Sequence, residues 1–547
     1  MAQLLGIFGF LLVLLRAAIL CFQSITIGGV LFFAFVTRRH ELRRDELWAP
    51  GWTLIRWSAC ALGLAQLLFV VANTVMLTNS AEVPLREALG ANYVFAGVLA
   101  ILGAFTIAIW PTTAKSGRLN PVVFVAAALA LAASVMTSHS ASRMDNRALM
   151  VGLTTVHYLA TASWIGGLPF LLLAMKRVTD PDAKAAITRN FSRQAQISVA
   201  ALLLAGVSLS YVYVGSWAAT YGTACGIMVA TKVILFCCLL VLGAANYFIV
   251  RGTAATNPAG ANSLMRFAEA EIGIGLTVIL AAAALTSQPP AADLTEDRVT
   301  LHEIAARFKP RMPRLSSPDV KELSESTKQQ YKEAAAEGRN LPVAYVPGES
   351  PWNTDKPADR MWSEYNHNWA GLVVLALGFL ALLSRSRYFP WAKIWPLAFL
   401  GLAVFLFLRA DPENWPLGPN GFWESFESSD VLQHRAAVVL LIFFAAFQWG
   451  VETGRVKSHA AALVFPGVCA LGGVVLLTHS HALTNVKEEM LAELSHTPLA
   501  ICGIVAGWSR WLELRLPAEN NYRKYLGWVW PVCFILVGLI LLNYHEM

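Results

Sequence analysis

Charge is scarce in this chain: Asp, Glu, Lys and Arg make up 14% of its 547 residues, against about 25% in soluble globular proteins. The few charges fall in short clusters separated by long uncharged runs. With 56% hydrophobic residues and a mean hydropathy of +0.53, this excludes an ordinary soluble domain and points to a polytopic chain in a lipid bilayer. Nucleotide-binding signatures are missing too, both the GxxxxGKS/T phosphate loop and the GxGxxG dinucleotide turn. No DKTG-like phosphorylation motif and no CPC-like intramembrane triplet occurs, which excludes primary ATP-driven pumping by this chain alone. No pattern typical of an enzyme takes their place. No CxxC spacing occurs, and all eight cysteines lie in apolar segments as small buried hydrophobes, so a disulfide scaffold is excluded. The formal charge of +7 carries no nucleic-acid signal, because the basic residues sit in short loops between apolar runs.

What remains is a series of hydrophobic segments. A helix needs about 20 apolar residues to cross the hydrocarbon core, and that measure predicts an all-α transmembrane bundle of fourteen spans. Eight lie near 6–36, 53–78, 91–111, 120–137, 148–175, 195–216, 223–250 and 267–287. Six follow near 367–384, 390–408, 432–452, 458–478, 497–513 and 524–543. The N-terminus has no basic region followed by a small-residue cleavage site, so the first run is expected to be retained as a helix. Every second loop is basic, beginning with Arg38, Arg39, Arg43 and Arg44 after the first span. The positive-inside rule therefore places the N-terminus and the hydrophilic stretch 288–366 outside. Three regions are expected: a membrane domain at 1–290, an external insert at 291–366 and a second membrane domain at 367–547. The insert is too poor in large apolar residues for a core of its own.

On that topology nine of the eleven histidines lie in, or enter the membrane from, the outer face; His40 and His459 are the exceptions. Imidazole is the commonest protein ligand for copper and zinc. His157 stands ten residues beyond Arg147, about 15 Å along its helix, and an ionisable residue at that depth is a functional hypothesis by default. Met150, His157 and Trp164 are seven apart and share one face, so a thioether stands above an imidazole, which suits cuprous copper. The alternative is a neutral histidine hydrogen-bonded to a neighbouring helix. Met136 and His139 are three apart and share a ligand if the fourth helix continues that far. In the second half His367, His434 and His496 begin spans, and His479 and His481 follow one; any one of these five is equally an interfacial anchor or cap. SHS at 138–140 and SHA at 480–482 form a weak internal repeat. Glu269, Glu271, Asn246 and Arg251 read as an ion pair or cap at inner helix ends, or as a polar exit for a cation. Gly28–Gly29 and Gly166–Gly167 read as close helix packing.

SHS at 138–140 followed by HYLATASWIGGLPFLL at 157–172 resembles the membrane domain of the copper resistance protein D (CopD) family. LGAANYFIVR at 242–251 and MRFAEAEIGIGLTVILAAAALTSQPP at 265–290 resemble the same family, so the likeness covers about residues 1–290. It implies a copper transport protein of the bacterial cytoplasmic (inner) membrane, handling Cu+ or Cu2+ beside a separate periplasmic CopC-like copper-binding protein, with a lean toward uptake. His139 and His157 carry over as copper residues, whereas the second half maps onto no known site of the family. A different reading is a b-type haem or quinol-linked redox protein in which His434 and His496 are axial ligands.

Overall fold

The computed structural model describes residues 2–37, 44–81, 83–110, 119–251, 258–286, 288–296, 298–318, 357–412, 414–418, 421–427, 429–478 and 487–545. Among them there is no strand, and the chain is an all-α polytopic membrane protein. Two compact units form, one over Ile7–Glu296 with Leu516–Asn520, the other over Asp297–Arg515 and Asn521–Met547 with Met1–Gly6. They are called the N-terminal and C-terminal units below.

Nine long or medium helices build the N-terminal unit. They are α1 (Ala2–Leu31, continued as a π turn through Val36), α2 (Arg44–Ser80), α3 (Asn92–Ile109), α4 (Pro121–Met136) and α5 (Arg147–Trp164). Then come α6 (Leu168–Arg177), α7 (Pro181–Val214), α8 (Ala224–Arg251) and α9 (Pro258–Leu285). The starts are written locally. Asn120 and Asp180 cap α4 and α7 through their side chains, each followed by proline at the first helical position, where its missing N–H costs nothing. The expected fifth span is two helices, α5 and α6, broken at Ile165–Gly167. Two segments of the chain approach closely at the break. A Cβ on Gly166 would lie 1.8 Å from the Ser24 carbonyl oxygen, and one on Gly28 would lie 2.3 Å from that of Ala162. Backbone therefore meets backbone where α1 crosses the break, as small residues permit.

Twelve helices of the described residues are long and apolar enough to cross a membrane. The fourth expected span is the shorter apolar helix α4, and the thirteenth lies inside a longer helix described below. Helix α7 shows how the bundle faces lipid: Ile197, Leu204 and Val207 are 66–70% exposed, while Ser198, Leu202 and Ala205 are buried. At 34 residues it runs about 51 Å, well past a hydrocarbon core of about 30 Å.

The C-terminal unit opens with α10 (Leu301–Arg307), set by a capping box between Thr300 and Glu303. It continues with α11 (Pro357–Leu383), α12 (Ala398–Arg409), α13 (Ser429–Glu452), α14 (Val464–Thr478), α15 (Lys487–Arg515) and α16 (Tyr522–Leu542). Its core joins Leu377, Trp395, Phe465, Trp530 and Cys533. The hydrophilic stretch divides between the units: Ala291 packs with Val214, Ala219 and Cys225 of the N-terminal unit, while further on Arg307 donates to Ser495, the Arg311 amide to Asn543, and Arg314 pairs with Glu364.

Candidate metal site

His139 is the first residue of a short helix, His139–Ser142, between α4 and α5. Helix α4 ends at Met136 and Ser138 is extended. The helical continuation that would let Met136 and His139 share a ligand is therefore absent, and Met136 is 39% exposed. Next to His139, Ser140 is buried and bonds both the Thr154 hydroxyl at 2.6 Å and the Tyr213 hydroxyl at 2.7 Å. That ties the short helix to α5 and α7. The His139 ring lies 6.4 Å from the Tyr213 ring. Arg16 of α1, buried among apolar residues, donates to Thr137 at 3.0 Å. Burial first, and then the Arg16 charge, hold the His139 imidazole below its ordinary pKa, against the opposing pull of Asp293 and the backbone of Thr286 and Gln288. A neutral imidazole is the form that binds metals.

His157 sits mid-way along α5 and faces Gly206 of α7, whose added Cβ would lie 3.8 Å from its Cε1 and 3.9 Å from its Nδ1. Met150, Thr154 and Trp164 of the same face are buried, so the face predicted from seven-residue spacing points into the unit. Lys232 of α8 acts electrostatically on His157. Nε2 of His139 and Nδ1 of His157 are buried, and neither has a hydrogen-bond partner. Among the described residues no three His, Cys, Asp or Glu side chains converge on one point. Protein ligands beyond the two imidazoles would have to be of another type, such as Met150.

Glu271 stands elsewhere in its helix than its place in the sequence suggests. Helix α9 begins at Pro258, so Glu271 stands 13 residues after its start and 14 before its end, in mid-helix and not at an inner terminus. It is 2% exposed, and it accepts from Asn246 Nδ2 at 2.5 Å and Trp164 Nε1 at 3.3 Å. Glu269 behaves as the ion-pair reading expects, with Arg266 at 2.5 Å.

In the C-terminal unit His367 and His496 come together, their ring centroids 6.1 Å apart. Tyr544 stacks on His367 at 3.9 Å and lies 6.3 Å from His496. His367 Nδ1 lies 2.8 Å from the Ser363 carbonyl oxygen; the bond requires Nδ1–H and directs the ring's lone pair to Nε2. Arg307 covers Tyr544 with its guanidinium 4.8 Å from the ring centre. His434 is elsewhere engaged, its Nδ1 2.8 Å from Asp411, so the pairing on display is His367 with His496 and not His434 with His496. His479 and His481 lie outside the described residues. Arg16, Lys232, Tyr213 and Tyr544 were not singled out from sequence. The first two had a signal, since each is a lone cation in an apolar run; the tyrosines had none.

Residues 185–285 match the family model of copper resistance protein D. The match runs from the second turn of α7 to the end of α9 and so includes Gly206, Lys232, Asn246 and Glu271, while the motifs at 138–140 and 157–172 precede it. The copper transport protein CutJ of Bacillus subtilis (strain 168) is 27% identical over 293 residues, which are 50% of this chain and 52% of that relative. The chain thus spans about half the length of the curated relative it matches. No solved structure matches.

Proposed function

We propose that this chain is a copper transporter of the bacterial cytoplasmic membrane, accepting the ion at its outer face and moving it inward, with His139 and His157 as acceptors. One observation supports this more than any other: the two imidazole nitrogens that are buried without a partner. Leaving a buried polar nitrogen unsatisfied costs about 1–3 kcal/mol, and a metal ion removes that cost at both. Met150, on the His157 face, supplies a soft ligand suited to Cu+. The CopD match and the name of the relative support copper as the ion, and transport rather than catalysis as the activity. A separate periplasmic protein of the CopC type is the proposed donor. The domain limits 1–290, 291–366 and 367–547 and the periplasmic N-terminus belong to the same proposal. His367 and His496 form a second proposed copper site, with His479 and His481 as further proposed ligands; His434 joins it only by giving up its bond to Asp411.

The test is metal analysis of the purified protein after copper loading, native against His139→Ala/His157→Ala. Equal copper content removes these residues as acceptors. The 6.1 Å spacing of His367 and His496 also keeps the haem reading open to measurement, and a Soret band shifting on reduction would replace the second copper site with haem b. Sidedness is tested by impermeant thiol labelling at Met144→Cys, whose side chain is 95% exposed. Ser140 is unsuitable because its hydroxyl joins three elements.

A further inference from the structure

We propose that Glu271 is a proton-binding site buried inside the helix bundle, which gives up its proton when a copper ion passes; this rests on the copper reading above. The carboxyl group is buried in the middle of α9, and among the described residues its hydrogen bonds come from neutral donors, Asn246 of α8 and Trp164 of α5. No charged group of α5, α6 or α8 acts on it among the described residues. An ionised carboxylate so placed has no compensating cation, and an uncompensated charge away from water is strongly disfavoured. The resting group therefore carries a proton.

Its partner is built to serve both forms. Asn246 donates through Nδ2, while its Oδ1 is buried with no hydrogen-bond partner. With the amide turned over, Oδ1 accepts from the O–H of the protonated acid while Trp164 donates to its other oxygen.

Position links the group to the metal path. Trp164 lies on the same face of α5 as His157, seven residues further on and about 10 Å away along the axis. On the far side of Trp164 from His157, Glu271 offers a carboxyl group that can become negative as a cation approaches. As a copper(I) ion arrives, the carboxyl O–H bond breaks, the proton leaves to water, and the carboxylate balances the ion. One positive charge replaces another at Glu271, so the charge there is unchanged and copper movement is exchanged for proton release.

Infrared difference spectroscopy between metal-free protein and protein loaded with copper(I) in ascorbate reads this directly, with copper content measured on the same samples. Expected is the loss of a protonated-carboxyl C=O band on loading, absent from Glu271→Gln, which still binds copper at His139 and His157. In vesicles enclosing a pH dye, copper-driven proton flux should fall at least ten-fold in Glu271→Gln and recover in part in Glu271→Asp. Copper bound by the wild type with no change in a carboxyl band overturns the assignment of Glu271 and leaves the copper reading standing. A wild type that binds no copper overturns both. The wild-type spectrum needs no variant, so misfolding of Glu271→Gln leaves the test intact.

Discussion

Each unit buries a glutamate against a tryptophan indole, and the two are compensated in opposite ways. Trp164 donates to Glu271 at 3.3 Å in the N-terminal unit, and Trp530 donates to Glu513 at 3.2 Å in the C-terminal unit. Glu513 is also bonded to Arg385 and to Arg510, the latter at 2.7 Å, and Arg510 reaches Glu452 at 3.1 Å. Glu271 has an amide where Glu513 has two guanidinium groups. A buried carboxylate with two arginines is a fixed ionic joint between helices; one with neutral donors only is free to change its charge. Burial alone therefore does not mark a functional acid. The charge of its neighbours does.

The largest expected effect separates these two joints. Glu513→Gln leaves the half-buried Arg385 without its carboxylate and Arg510 with Glu452 alone, and should destabilise the protein by about 1–3 kcal/mol, read by denaturant unfolding in detergent. Glu271→Gln keeps size and an acceptor and should change stability by less than about 1 kcal/mol. Similar losses from both would mean that Glu271 is as structural as its counterpart.

Next in size is copper affinity. His139→Ala/His157→Ala should weaken the N-terminal site at least ten-fold, equal to about 1.4 kcal/mol, by competition with a chromogenic copper chelator. His367→Ala/His496→Ala should leave that site unchanged and remove only further copper. Loss of all copper from the second variant would shift the transport site to the C-terminal unit.

A smaller effect is expected at Gly206. Its Cβ position is at ordinary contact distance from His157, so Gly206→Ala should keep the fold and most copper. Gly206→Leu fills the space beside Nδ1 and should weaken binding several-fold in the same competition. Equal binding by both would place the ion on the other side of the ring.

The smallest effect concerns protonation. His139 is held below the ordinary imidazole pKa of about 6.5, so it stays neutral, and metal-competent, as pH falls through that value. The unfolded chain takes up its proton there while the folded chain does not. Acidification below about 6.5 should therefore favour unfolding through this residue. Arg16→Gln removes the second cause and leaves burial, so the His139 titration in nuclear magnetic resonance should move up but remain below the ordinary value. No movement would show that Arg16 serves only its bond to Thr137.

Most of the helical architecture was legible in the residues, because apolar length is a local property. Each of the fourteen segments coincides with helix, although α7 begins at Pro181 rather than 195 and α9 at Pro258 rather than 267. Helices extend past the apolar run wherever capped polar turns permit, and hydropathy is blind to that extension. The same blindness misplaced Glu271 at a helix end. Spacing found the Met150–His157–Trp164 face because seven residues return to one side of a helix. It failed for Met136 and His139, where the chain leaves the helix between them.

By itself the sequence determined that the chain lies in a membrane, where its helices run, and which side chains are able to bind a metal. Those follow from composition and from periodicities of a few residues. Only the tertiary structure decided which of those side chains stand together. It left a nitrogen of His139 and of His157 without a partner, and it joined His367 to His496 while tying His434 to Asp411. It also surrounded Glu271 with neutral donors and Glu513 with arginines. The physical reason is that charge compensation and hydrogen-bond satisfaction are settled between helices far apart in the chain, as with Trp164, Asn246 and Glu271, and no local pattern records them.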